Sequence, residues 1–149
     1  MASRTQSIPV ILCGKTLEVG EKVAPLVKPE IEVIQFINSF EDCKTNFPDL
    51  LAGRGPKVPI LNNVGTHDYS RAPRAIIFGR AFKPEEVKEL NRLFQHSSST
   101  PVAWIAGDPT VKPPAHPGPD YAEQAAANVK RALQQWMDQG ARSSDIIYY

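Results

Sequence analysis

The sequence predicts one small doubly wound α/β domain: a parallel sheet of about five strands in a flavodoxin-like or Rossmann-like three-layer αβα arrangement. Three observations carry this expectation. Short apolar runs alternate with segments of helical periodicity through the whole chain. The runs are apolar at consecutive positions, the pattern of strands buried on both faces. Several close on a glycine, at Gly14, Gly79 and Gly107, where a strand gives way to a loop.

The elements follow in order. Ile8 to Cys13 is the first strand, β-branched at Ile8, Val10 and Ile11. Thr16 is placed to cap a helix from Leu17 to Lys28, with Leu17, Gly20, Val23, Ala24 and Val27 as its apolar stripe. Pro25 lies inside that stripe and predicts a kink or an early end. After Pro29, Ile31 to Ile37 is the second strand. Asn38 or Ser39 caps the next helix, with Glu41 and Asp42 in its first turn. That helix runs to about Ala52, with an interruption expected at Pro48.

Gly53 to Ala72 reads as a long loop. Arg74 to Phe78 is the third strand. Lys83-Pro84-Glu85-Glu86 opens a helix to about His96, with proline and acids where a first turn favours them. Ser97 to Thr100 is a turn, Val102 to Ala106 the fourth strand, and Asp108 to Pro119 a proline-rich loop. Asp120 opens the longest helix, ended near Gln139 by Gly140. Asp145 to Tyr149 reads as a last short strand. Strand–helix alternation with right-handed crossovers gives the expected order 2-1-3-4-5.

Composition narrows the function classes. The chain of 149 residues makes one domain over 1–149. That length buries roughly 70% of the unfolded chain's surface, so no metal or disulfide staple is required. The 17 Lys and Arg against 16 Asp and Glu leave no basic excess for nucleic acid. No apolar run approaches the roughly 20 residues of a membrane span. Residues 1–7 are polar, without an apolar signal core, and read as a flexible arm on a cytoplasmic protein. The two cysteines, Cys13 and Cys43, lack metal-ligand spacing and fit a reducing compartment.

The opening strand with Cys13-Gly14-Lys15-Thr16, the Lys28-Pro29-Glu30 break before Ile31 to Ile37, and the aromatic C-terminus resemble a group of short, uncharacterised proteins of filamentous fungi. The resemblance covers most of the chain. It implies a fungal cytosolic protein and brings no assigned activity.

Ligands of an open parallel sheet bind beyond the carboxyl ends of the strands, where strand order reverses. With order 2-1-3-4-5 that point lies between strands one and three. Gly14, Lys15 and Thr16 meet Gly79 and Arg80 there, and His116 leaves strand four on the same pole. Two cations and a helix N-terminus suit a phosphate or carboxylate. Familiar nucleotide motifs fail residue by residue. A P-loop ending in Gly14-Lys15-Thr16 requires glycine where Pro9 stands. A dinucleotide fingerprint requires glycines where Thr16 and Val19 stand. A phosphatase loop on Cys13 requires arginine in place of Val19, and a phospho-receiver site requires acids in place of Gly14 and Gly79. Cys13 itself reads as a buried strand residue. His96 reads as a cation at a helix C-terminus, and His67 lies on the opposite pole from the crevice.

Two functions remain. The first is a non-catalytic α/β module acting through self-association, as a homodimer, or through a partner. The longest helix carries a wide apolar arc, Tyr121, Ala125, Val129, Ala132, Leu133, Trp136 and Met137, able to serve such an interface. The second is a small enzyme or sensor holding an anionic, phosphorylated or nucleotide-like ligand on Gly14, Lys15, Thr16, Gly79, Arg80 and His116. No catalytic residue, cofactor or metal is assigned by either.

Overall fold

The computed structural model describes residues 7–111 and 120–149. Five strands, β1 (Ile8–Cys13), β2 (Ile31–Ile37), β3 (Ala75–Phe78), β4 (Ala103–Ala106) and β5 (Ile146–Tyr148), alternate with four helices. The helices are α1 (Leu17–Leu26), α2 (Phe40–Leu51), α3 (Pro84–Phe94) and α4 (Tyr121–Asp138). The strands form one sheet in the order β2-β1-β3-β4-β5, and every neighbouring pair is parallel. This is the expected doubly wound order. Ile11, Ile77 and Ile105 on the central strands, and Ile34 on the edge strand β2, are all at most 2% exposed.

Each face of the sheet has its own core. Val10, Leu12, Val33, Phe36, Ile77 and Ile105 pack with α1 and α4. Ile11, Cys13, Ile37, Ile76, Phe78 and Trp104 pack with α2 and α3. Alternate residues of one strand thus enter different layers, which is why each strand is apolar throughout.

Local chemistry explains the boundaries. Ser39 accepts a hydrogen bond from the Asp42 N–H at 3.1 Å, and Glu41 and Asp42 occupy the positive first turn. Pro48 does not interrupt α2, contrary to expectation. Its neighbours Phe47, Leu50 and Leu51 are all buried, and their packing holds the last turn although one helical donor is lost. Pro25 has the expected effect, since α1 ends one residue later. Of the α4 arc, Val129, Ala132, Leu133 and Trp136 are buried in the core it shares with α1, while Tyr121, Ala125 and Met137 are half-buried.

The β2 edge of the sheet is capped by the loop before β3. Val10 pairs with Val33 but Ile11 with Gln35, so Ile34 is the extra residue of a bulge. The Thr66 and His67 N–H groups donate to the Val33 and Ile34 carbonyls, both at 2.9 Å. Gly65 permits this approach: its φ is 98°, and a Cβ there would stand 2.8 Å from the Val33 oxygen. Gln35, buried below, receives the Tyr69 hydroxyl and donates to the Phe36 carbonyl.

Candidate functional site

A crevice of ≈ 280 Å³ opens at the carboxyl ends of β1 and β3, between α1 and α4. The strand order reverses there, because α1 leads away to β2 on one side while α3 leads to β4 on the other. Gly14, Lys15, Thr16, Gly79 and Arg80 all line it, as the sequence predicts. His116 lies outside the described residues.

The walls are mainly apolar. Val19, Gly20 and Val23 come from α1, Ala125 and Val129 from α4, and Phe36 and Ile77 from the sheet. Gly20 is the position that shapes this wall. A Cβ on it would fall 2.5 Å from the Phe36 ring, so the ring lies directly on the helix backbone. Tyr121 and Tyr149 complete the lining.

The two expected cations take different roles. Lys15 extends toward α3, where its ammonium meets the Glu86 carboxylate at 3.1 Å and stands 4.7 Å from the Phe82 ring centre. Burial works to raise the Glu86 carboxyl, but the Lys83 N–H and the Lys15 ammonium together hold it below its ordinary value. Lys15 is therefore largely neutralised. Arg80 is not paired in this way. Its guanidinium lies 4.8 Å from the centre of the Tyr149 ring, and Nη2 donates a long bond of 3.4 Å to the Tyr149 carbonyl. Arg80 Nε is buried with no hydrogen-bond partner among the described residues. Asp108 is near enough to feel the arginine, but its carboxylate is bound by the Thr110 N–H and hydroxyl at 2.8 and 2.7 Å.

Gly107 fixes the arginine's path. A Cβ at Gly107 would come within 2.3 Å of Arg80 Cγ, so the side chain crosses the end of β4 over bare backbone. The Tyr149 hydroxyl donates to the Phe78 carbonyl at 3.1 Å. Burial pushes this phenol up to about 12, against the lowering effect of Arg80. It is a neutral hydrogen-bond donor and no base. Thr16 stands at the start of α1 with no side-chain capping bond, so its hydroxyl does not satisfy the helix's first N–H groups.

The remaining candidates lie elsewhere. Cys13 turns its thiol away from the crevice into the α2/α3 core, where the Cys43 thiol donates to it across 3.7 Å. Burial, and then Cys43, hold the Cys13 thiol well above its ordinary pKa, so it stays protonated and unreactive. Thirty residues separate the two cysteines, so sequence reasoning did not bring them together. His67 has a φ of 56° on the capping loop, its ring stacked on Tyr69 at 6.4 Å and its Nε2 3.1 Å from the Val64 carbonyl. His96 is exposed just beyond α3. No group of three or more His, Cys, Asp or Glu among the described residues is placed to hold a metal.

Gly20, Phe36, Tyr121, Ala125, Gly107 and Tyr149 were not anticipated as site residues. The one signal that marked any of them was a glycine inside a helix, which disfavours the helix and asks for a packing reason.

No family model matches the chain. No solved structure matches it either. Among curated proteins it is similar to Kojic acid related protein 6 of Aspergillus oryzae (strain ATCC 42149 / RIB 40), a fungal protein with which it is 29% identical over 143 residues, 95% of this chain and 86% of that one.

Proposed function

We propose that this protein is a non-catalytic binding module that holds a small organic molecule in the switch-point crevice. One observation carries the reading. An apolar crevice of ≈ 280 Å³ stands at the ligand position of this architecture and is lined in part by Arg80, whose Nη2 makes only a long bond of 3.4 Å to the Tyr149 main-chain oxygen. A ligand oxygen would take the place of that long, weak bond. The Tyr149 phenol, which lines the crevice, is held in its protonated form and so offers a hydrogen-bond donor and no base. Self-association through α4 has less support, because most of its apolar arc is buried within its own chain. The cytosol is the natural compartment for the two free thiols. No helix among the described residues is long and apolar enough to cross a membrane.

The test is a thermal-melting and NMR titration against small ring compounds, with kojic acid included because the relative's name refers to it. A ligand at a hundredfold over its Kd stabilises by about 2.7 kcal/mol, a shift of several degrees at this size. The accompanying variant is Ala125→Leu, which fills the crevice from α4. The expected result is a shift in the wild type and none in the variant. Ligands that shift both alike bind elsewhere, and the reading is then wrong.

A further inference from the structure

The geometry points to a ring-bearing monocarboxylate as the ligand class, with its ring between α1 and α4 and its carboxylate on Arg80. This deepens, and rests on, the reading of the crevice as a ligand site. Charge counting selects the carboxylate. Lys15 is drawn to Glu86 at 3.1 Å, which leaves Arg80 as the lining cation without an ion pair among the described residues. A monoanion is matched by one guanidinium. A phosphate dianion would bring a second negative charge against Val19, Val23, Ile77 and Val129, with only the uncapped start of α1 and the Glu86-bound Lys15 to offset it, and burying a poorly paired charge is unfavourable.

Donor geometry agrees. Arg80 presents a planar fork whose bond to the Tyr149 main-chain oxygen, 3.4 Å long, is weak and easily exchanged for a carboxylate oxygen. Size and shape select the ring. A crevice of ≈ 280 Å³ lies at the small end of ligand sites and suits a single ring with a small substituent. Phe36, Tyr121 and Tyr149 are among its lining residues, and the guanidinium already stacks on the Tyr149 ring at 4.8 Å. Gly20 and Ala125 keep the two helices from closing the space.

Calorimetric titration at pH 8 with benzoate, phenyl phosphate and benzyl alcohol tests this. Benzoate is expected to bind about tenfold tighter than benzyl alcohol, as a charge-assisted bond requires, and tighter than phenyl phosphate. Arg80→Gln should bring benzoate down to the level of the alcohol and leave the alcohol unchanged. Arg80→Lys, which keeps the charge and most of the stem, is the second variant should the glutamine protein fold poorly. It should weaken benzoate and retain some preference for it over the alcohol. Phenyl phosphate binding tighter than benzoate, or benzoate affinity that survives both substitutions, overturns the carboxylate assignment. Benzyl alcohol binding that Ala125→Leu abolishes, with no preference for benzoate, overturns the assignment but keeps the site. If no probe binds and Ala125→Leu changes nothing, both readings fall.

Discussion

The two faces of one sheet are packed by opposite means. On the α2/α3 face, Phe47 meets Phe78, Phe94 and Trp104 edge-on at 6.4, 5.9 and 6.0 Å, and Phe78 meets Phe82 at 5.4 Å. Large rings interlock there and fill the layer. On the α1/α4 face, the helices meet the carboxyl end of the sheet with Val19, Gly20, Val23, Ala125 and Val129, and a crevice remains. Alternate residues of each strand serve different faces, so the difference lies in strand and helix side chains together: Phe78 and Trp104 from the strands with Phe47 and Phe94 from the helices make a support, and small residues of α1 and α4 make room. This division accounts for where the cysteines and the arginine go. The Cys13 thiol faces the filled side and is inert, while the main chain beyond it borders the open side.

The largest expected effect comes from breaking the filled face. Phe47 is 0% exposed and touches rings from two strands and α3. Phe47→Ala should destabilise the protein by about 3–5 kcal/mol, a large part of a typical domain's total stability. Urea unfolding measures this. A loss under about 1 kcal/mol would mean that the layer collapses around the gap and that the two faces are not so different.

Next in size is the pH response of the crevice wall. Tyr149 has a phenol raised from 10.0 to about 12. A group whose folded pKa lies above its unfolded value stabilises fully below the unfolded value and loses that contribution as pH rises through the folded one. Stability should therefore fall between pH 10 and about 12, by at most about 3 kcal/mol from this group. Tyr149→Phe should cost about 1 kcal/mol at pH 7, for the bond to the Phe78 carbonyl, and should flatten the alkaline slope. Parallel slopes in the two proteins would show that the phenol is solvated and the crevice more open on that side.

A smaller effect is expected at Gly20. Alanine improves an ordinary helix by about 1 kcal/mol, but here its methyl would stand 2.5 Å from the Phe36 ring. Overpacking of this kind costs about 1–3 kcal/mol, so Gly20→Ala should be net destabilising by about 1 kcal/mol. The crevice offers the Phe36 ring somewhere to go. Ligand binding should weaken more than stability does, and a stabilised variant with intact binding would remove Gly20 from the site.

What the sequence made legible follows from range. Strand–helix alternation and terminal glycines are local, and they led to the correct strand order and to Gly14, Lys15, Thr16, Gly79 and Arg80 at one crevice. Side-chain partners across the fold are not local. Nothing near Lys15 announces Glu86, 71 residues away, and nothing near Arg80 announces Tyr149, 69 residues away. Pro48 misled for the same reason, since the packing of Phe47, Leu50 and Leu51 that carries the helix through it is tertiary. The sequence counted two cations for the site, whereas distant partners decide how many remain.

That count sets the smallest expected change in stability and the sharpest in selectivity. Glu86 uses one carboxylate oxygen for Lys15 at 3.1 Å and the other to accept the Lys83 N–H at 2.9 Å, which supports the start of α3. Glu86→Gln keeps an oxygen for the main chain and removes the countercharge of Lys15. The Lys15–Glu86 side chains are 35% and 21% exposed, so the pair contributes at most about 1 kcal/mol, and the melting temperature should move little. The released ammonium would then stand at the crevice beside Arg80 and supply the second cation that a dianion lacks. Phenyl phosphate should gain about fivefold in affinity, the equivalent of about 1 kcal/mol from a partly screened charge, while benzoate, already matched by Arg80, gains less. If phosphate gains nothing, Lys15 belongs to the α3 side even when unpaired. The Gly14–Thr16 turn then contributes only backbone to the site, and the monoanion preference is set by the apolar walls and not by the Glu86 clasp.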